Sequence, residues 1–176
     1  MKLQRTIIAC VASMLFTTGL WAGVKTDYDR SANFNQYKTY SWESVKTRDP
    51  LLIPRIKEAV NAALAAKGWT QVPSGGNVSI IANEMTSTQQ NLNTFYDGFG
   101  GGRRWRGGGG FGMSTTTVDT YKVGTVVVDL FDTNTKTLIW RGSDSNTLSN
   151  NSGKNIKNLD KDVQKMFAHF PPKSQG

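Results

Sequence analysis

Hydrophobic and polar residues alternate along several segments of the chain, with the two-residue period of a strand that buries one face. Residues 24–28 show this period, and 37–42 repeat it with the β-forming residues Tyr, Thr and Trp. An extended segment at 69–72 and a third alternating segment at 78–85 follow, separated by a turn rich in Pro, Ser and Gly. The first part of the chain therefore predicts three strands and one extended connection.

A longer strand is predicted in the second half of the chain. Residues 115–132 are almost entirely β-branched, aromatic or alternating polar, and three consecutive valines favour a central place in the sheet. A turn-forming segment then leads into 137–142, so the two strands are expected to form a hairpin. If the hairpin register places Asp129 opposite Arg141, the two side chains are expected to form a cross-strand ion pair.

Two segments carry the three-to-four-residue period of an amphipathic helix. The first spans 51–67 and ends before Gly68, a residue suited to the left-handed position after a helix C-terminus. The second stripe runs through 156–170, with Asn155 as the expected cap. The order of these elements predicts an α+β two-layer sandwich, in which a mainly antiparallel sheet of about five strands carries two helices on one face.

The N-terminal segment has the pattern of a secretory signal peptide. Basic residues precede an apolar stretch at 7–21, and small residues follow it. We expect residues 1–22 to be removed on export, with cleavage near Ala22, which leaves no transmembrane span; an uncleaved anchor is the alternative. Cys10 lies early in the apolar stretch, so no lipid anchor is expected there. The expected location is the periplasm.

The composition fits one globular domain of basic character at 23–176. The 176 residues include 21 Lys plus Arg and 13 Asp plus Glu, a formal net charge of +8, and 38% are hydrophobic. These values exclude a wholly disordered or collagen-like chain. The one cysteine, Cys10, falls in the predicted signal peptide, so the exported protein is expected to have no disulfide. A Cys and His metal cluster cannot be built, and we expect neither metal nor cofactor.

A glycine-rich segment at 95–114 is the feature of the sequence that most strongly suggests a function. We expect it to be a flexible loop between two strands. Nine of the fifteen residues 98–112 are glycine, which loses the most backbone entropy on ordering. Arginine and aromatic side chains stand among the glycines: Phe99, Arg103, Arg104, Trp105, Arg106 and Phe111. Guanidinium groups bind phosphate, and aromatic rings settle at membrane–water boundaries. The expected partner is an envelope protein, an anionic lipid or a lipopolysaccharide phosphate. A loop without any partner is the alternative.

Other chemistries fit the sequence less well. The glycines precede a strand rather than a helix, unlike a nucleotide-binding loop, and we expect no nucleic acid partner for an exported chain. His169, the only histidine, is expected to pack or to face solvent. Asp27 and Asp29 share a strand face and Asp129 interrupts an apolar strand. The protein is expected not to be an enzyme, and a small periplasmic hydrolase that uses these carboxylates is the alternative.

Blocks along the chain together resemble the bacterial envelope proteins grouped as domain of unknown function 4136 (DUF4136), many of which are predicted lipoproteins. The blocks are 26–29 with 33–42, the helix end 64–69, the strands 124–132 and 138–142, and Phe170-Pro171-Pro172. Two features depart from the family pattern: no convincing lipidation cysteine is present, and Asn77 stands where an acidic residue is expected. The resemblance implies an envelope location and an α+β fold, without an activity or ligand. We expect a non-catalytic binding or assembly module of a Gram-negative envelope.

Overall fold

The structure, a computed structural model, describes residues 23–96 and 114–172. Its elements are β1 (Lys25–Tyr28), a short 3-10 helix (Phe34–Gln36), β2 (Thr39–Lys46), α1 (Leu52–Ala65), β3 (Thr70–Gln71), β4 (Val78–Tyr96), β5 (Ser114–Asp132), β6 (Leu138–Thr147) and α2 (Ser152–Met166). The strands form one sheet in the order β1-β6-β5-β4-β2-β3. The predicted signal peptide lies outside the described residues.

The α+β class with two helices is confirmed, whereas the strand number and pairing differ from the prediction. The sheet has six strands, because Thr70–Gln71 of the predicted extended connection pairs with β2 as an edge strand. Its pairing is mixed: β2 runs parallel to β3 and β4, and the other neighbours are antiparallel. The cause is α1, which follows β2 and returns the chain to the same end of the sheet, as strand-helix-strand crossovers do.

The two helices cover one face of the sheet and form the hydrophobic core with it. Alternate strand residues point into this core: Tyr40, Val78, Ile80, Ala82, Val128, Leu130 and Trp140. The helices contribute Ile56, Val60, Leu64, Val163 and Met166. Each of these side chains is almost fully buried. The positions that the strand and helix periods of the sequence mark as apolar are therefore the ones that form the core.

An aromatic cluster closes the core beyond the C-terminal end of α2. Its rings belong to Tyr28, Phe34, Tyr37, Trp69, Trp140, Phe167 and Phe170. The Phe170 ring is central, with centroid distances of 5.8 Å to Phe34, 5.1 Å to Trp69 and 5.5 Å to Trp140, all edge-on. Edge-on ring pairs stabilise a fold beyond the area that they bury. The segment after α2 is therefore part of the core.

The helix ends show one correct and one wrong prediction. Gly68 has a positive φ of 79° beyond α1, and the Trp69 N–H donates to the Leu64 carbonyl over 3.0 Å, as in a Schellman motif. The predicted cap of α2, Asn155, is wrong. Asn151 caps the helix instead, since its side chain accepts from a backbone N–H of the first turn. Residues 152 and 153, Ser and Gly, form that turn although their composition favours a loop.

Candidate functional site

The strands β4 and β5 extend together beyond the rest of the sheet. β4 pairs with β2 only as far as Asn83, and β5 pairs with β6 only from Val123 onward. The pairing of β4 with β5 nevertheless continues through 88–96 and 114–122, a two-stranded ribbon that is called the β-arm below. Nine residue pairs at about 3.4 Å per residue make the β-arm roughly 30 Å long.

The described side chains of the β-arm are mostly polar and exposed. Val118 is 50% exposed, and the Tyr121 hydroxyl donates to Gln89 Oε1 over 3.1 Å at the surface. The backbone ladder, rather than an apolar core, holds these two strands together. The chain joins the ends of the β-arm through residues 97–113. All six predicted loop residues, Phe99, Arg103, Arg104, Trp105, Arg106 and Phe111, therefore lie outside the described residues.

A cavity of about 450 Å³ lies between α1, α2 and the sheet, at the base of the β-arm. Its apolar wall is formed by Leu52, Ile56, Val126, Leu148, Ile156 and Leu159. Exposed residues of the segment before α1, among them Arg48 and Asp49, also line it and face the solvent. The volume falls within the range of about 300–1,000 Å³ that is typical of small-molecule sites.

Two buried carboxylates line the same cavity, Asp144 of β6 and Asp162 of α2, which are 5% and 8% exposed. The side-chain amide of Asn146 donates to both: Nδ2 lies 2.6 Å from Asp144 Oδ2 and 2.5 Å from Asp162 Oδ2. Lys165 Nζ lies 3.6 Å from Asp162 Oδ1, which is an ion pair within α2. These two carboxylates are called the Asp144–Asp162 pair below.

The pair has perturbed electrostatics. Burial raises the pKa of Asp144 to about 6, and the adjacent charge of Asp162 acts in the same direction. A hydrogen bond from the Ser145 backbone and the charge of Lys165 act against this shift. Removing two like charges from water is costly unless opposite charges balance them. Burial of the pair is therefore costly, since Lys165 is the one cation among the described residues that forms an ion pair with it.

A third buried carboxylate, Glu84 of β4, also lines the cavity. It accepts hydrogen bonds from the Thr47 hydroxyl over 2.7 Å and the Thr86 hydroxyl over 2.8 Å. Hydroxyl donors satisfy the oxygens but leave the charge in place. Within residues 23–96 and 114–172, no group of three or more His, Cys, Asp or Glu side chains is arranged to hold a metal ion.

The three carboxylates of the predicted hydrolase alternative are not assembled into one site. Asp129 and Arg141 form the predicted cross-strand ion pair, with bidentate contacts of 2.5 Å and 2.8 Å, so this prediction is confirmed. Asp27 is exposed on β1, on the other side of Arg141. Asp29 accepts from the Ser31 hydroxyl and N–H in a turn, and these hydrogen bonds lower its pKa.

Sequence reasoning missed the Asp144–Asp162 pair. Asp144 and Asn146 fall in a stretch rich in Ser, Asn and Gly that the composition indicates as loop, whereas β6 continues through it to Thr147. Asp162 interrupts the apolar stripe of α2 beside Val163, and a charged residue in such a stripe was the available signal. His169 is exposed and lines a second cavity of about 260 Å³ together with the pair.

The described residues define an α+β sandwich domain with a projecting β-arm and an acidic, apolar-walled cavity. A family model described as "Domain of unknown function (DUF4136)" matches residues 24–172, and the chain belongs to this family. The resemblance inferred from the sequence is thereby confirmed. No curated protein matches the sequence. Neither described helix has the length and apolar character needed to cross a membrane.

Comparison with solved structures finds similar chains at low sequence identity. A PDZ domain protein from Parabacteroides distasonis is 13% identical with a TM-score of 0.58, and the match covers 87% of this chain and 36% of that one. The chain thus spans about a third of that protein, and the likeness concerns the fold alone. Two PelC dodecamer structures from Paraburkholderia phytofirmans are 14% identical, with TM-scores of 0.49 and 0.48, and cover 82% of this chain and 93% and 94% of theirs. A minor lipoprotein from Acinetobacter baumannii is 11% identical, with a TM-score of 0.34 and coverage of 76% and 91%.

Proposed function

We propose that this protein is a non-catalytic binding module of the bacterial cell envelope, exported to the periplasm, which engages an anionic envelope component at the end of its β-arm. The observation that carries the proposal is the β-arm itself. Nine residue pairs separate the segment 97–113 from the six-stranded sheet and its helices. A surface can therefore be contacted at the end of the β-arm while the helix layer stays away from it.

The continuity of the ladder supports this role. Isolated two-stranded ribbons are marginally stable in water. This ribbon, however, continues a pairing that begins in the core, in one register from Val78 opposite Asp132 to Tyr96 opposite Ser114. The packed part of the sheet thus provides a fixed base for the β-arm.

The charge of the segment at the end supports an anionic partner. Arg103, Arg104 and Arg106 are three of the 21 basic residues of the chain, and no acidic residue stands between Asp97 and Asp119. Arginine forks match phosphate geometry, and neighbouring aromatic rings favour the membrane–water boundary. Phosphate is the chemistry that anionic lipid and lipopolysaccharide share. The export pattern of 1–22 and the resemblance to envelope proteins support the periplasmic location.

Vesicle binding by the exported protein tests the proposal. We expect the protein to sediment with phosphatidylglycerol vesicles or to bind lipopolysaccharide, and to ignore phosphatidylcholine vesicles. The triple variant Arg103→Ala, Arg104→Ala, Arg106→Ala should lose this binding. The triple variant Lys154→Ala, Lys157→Ala, Lys161→Ala removes the same charge from exposed positions of α2 and should keep it.

The arms of this experiment separate the sources of phosphate. Binding to vesicles alone identifies a lipid headgroup, and binding to lipopolysaccharide alone identifies its phosphates. Equal losses of binding in both triple variants would show that only the net charge of the protein matters, which would overturn the proposed role of the β-arm. The proposal of an anionic partner would be overturned if the protein bound neither phosphatidylglycerol vesicles nor lipopolysaccharide and cross-linking in cells captured a protein through 97–113. We propose no catalytic step, since Asp27, Asp29 and Asp129 are engaged separately.

A further inference from the structure

The cavity between α1 and α2 combines apolar walls with buried negative charge. Asp144, Asp162 and Glu84 all line it, and each is at most 9% exposed. Within the described residues, the one ion pair formed by these three carboxylates is that of Asp162 with Lys165. The surplus of buried negative charge distinguishes this cavity from an ordinary packing defect, which is lined by apolar groups alone.

The charged groups around the Asp144–Asp162 pair differ in how far they are exposed to solvent. Lys165 lies on the same helix as Asp162, at 3.6 Å, longer than a normal hydrogen bond. Arg48 and Asp49 are exposed, Arg55 is half-buried on α1, and His169 is exposed beyond α2. The two described cationic side chains that line this cavity, Arg48 and Arg55, are thus more exposed than its three buried carboxylates. This leaves the buried end negative.

We propose that this cavity binds a small organic cation, in which a primary ammonium group contacts the Asp144–Asp162 pair and an apolar body lies against the wall formed by α1, α2 and β5. An ammonium group offers three donors, and carboxylate oxygens accept more than one hydrogen bond each. The described side-chain donor to both Oδ2 atoms is the single amide of Asn146. The pair therefore has acceptor capacity for a further cationic donor.

The shape and chemistry of the cavity select this class of ligand. A volume of about 450 Å³ suits a small molecule rather than a macromolecular segment. The mainly apolar wall favours a hydrocarbon or aryl body over a fully hydrated ion. A neutral alcohol would fill the space without balancing the charge, and an anion would meet like charges. The ligand class concerns a site separate from 97–113, so it goes beyond the proposed envelope binding.

Calorimetric titration of the full exported protein with n-hexylammonium at neutral pH tests the inference, with n-hexanol and hexanoate as ligands of matched length. We expect saturable binding of n-hexylammonium and at least about tenfold weaker binding of both matched ligands. The variant Asp144→Asn, Asp162→Asn should weaken n-hexylammonium by about thirtyfold or more, as removal of one side of a buried charge pair does. Asn has nearly the same shape as Asp and removes the repulsion, so this variant should fold.

Two control variants keep the result interpretable. Asp160→Asn removes one negative charge from an exposed position of α2 and should leave affinity unchanged. Leu148→Trp fills the cavity and should weaken n-hexylammonium and n-hexanol together. Equal affinity for n-hexylammonium and n-hexanol, unchanged affinity after both Asp→Asn changes, or no binding of n-hexylammonium at all would each overturn the inference. The triple Arg→Ala variant of 97–113 should bind n-hexylammonium normally, so the two proposals fail separately.

Discussion

The strands β4 and β5 run through both the covered part of the sheet and the β-arm, but the two regions are stabilised differently. β4 and β5 each have 19 residues. On β4, the inward positions Val78, Ile80 and Ala82 are fully buried, whereas the next two, Glu84 and Thr86, are polar. The apolar alternation ends there, and the helices end their cover at about the same level. Hydrophobic alternation thus sets the extent of the core, while the backbone pairing of the two strands continues beyond it.

Removal of a core ring is expected to lower the stability of the protein far more than a change in the β-arm. Phe170→Ala deletes the ring that joins Phe34, Trp69 and Trp140, and we expect the free energy of unfolding to fall by about 3–5 kcal/mol in urea denaturation. Val118→Ala on the β-arm is the control, because its side chain is 50% exposed, and it should change the value by less than about 0.5 kcal/mol. Similar losses in both variants would contradict the division into core and β-arm.

The buried carboxylate pair should make stability depend on pH in a way the β-arm does not. The folded pKa of Asp144, about 6, lies above the ordinary value of 3.8, so the folded state binds more protons between these values. The contribution of Asp144 to the free energy of unfolding therefore decreases as pH rises from about 4 to about 6. Asp144→Asn should remove this slope and stabilise the protein at pH 7 by up to about 3 kcal/mol.

Parallel denaturation series at pH 4 and pH 7 measure this effect. The exposed variant Asp160→Asn should follow the wild-type slope. A wild-type stability that rises between these pH values relative to Asp144→Asn would show that the pair is stabilised in its ionised form.

Two Tyr→Phe changes compare the stability cost of losing one hydrogen bond in the core with that of losing one in the β-arm. The Tyr37 hydroxyl donates to the buried Asp132 over 2.7 Å, and Tyr37→Phe should cost about 1–2 kcal/mol because Asp132 loses this donor. Tyr121→Phe in the β-arm loses an exposed bond to Gln89 and should cost less than about 0.5 kcal/mol.

The pH dependence of the first change provides a further check. The hydrogen bond from Tyr37 is the main cause that lowers the pKa of Asp132 below 3.8. Its stabilisation is complete above that value and is lost as the pH falls below it, so the difference between wild type and Tyr37→Phe should shrink in acid. Thermal unfolding at pH 7 and pH 3 measures it, and a difference that grows in acid would contradict the assigned bond.

Removing the β-arm should have the smallest effect on stability. Ser87 and Val123 are directly opposite, so an Asn-Gly turn in place of 88–122 can join them as a two-residue hairpin. We expect the free energy of unfolding of the shortened protein to change by less than about 1 kcal/mol, since the lost residues contribute little buried apolar surface. Loss of cooperative unfolding in circular dichroism would show that the β-arm is part of the core.

The sequence predicted what depends on local periodicity. The segments of β2, β5 and α1 follow from alternation or from a helical stripe, and the pairing of Asp129 with Arg141 follows from a short hairpin turn. The length of β4 did not follow, because residues 86–96 are mostly polar and lose the apolar period that marks a half-buried strand. The parallel pairing of β2 with β4 also did not follow, since it depends on how α1 returns the chain.

The candidate site was harder to predict than the fold. Asp144 and Asp162 are 18 positions apart in the sequence, on different elements, and only the packing of α2 on β6 brings them to one amide. Burial, which perturbs the pKa of Asp144, also arises only from that packing. The Arg and Trp residues of 97–113 could be singled out from the sequence, because their residue types suggest a binding role without any knowledge of their contacts.

The late position of Phe167 and Phe170 in the chain has a consequence for the order of synthesis. β1 must pair with β6, and the aromatic cluster needs rings that follow α2. A nascent chain that still lacks these rings has made both helices and all six strands but cannot close the core around Trp140. We therefore expect the native core to close only after almost all of 23–172 has been synthesised, so that a growing chain stays unfolded at the stage at which the proposed export would act.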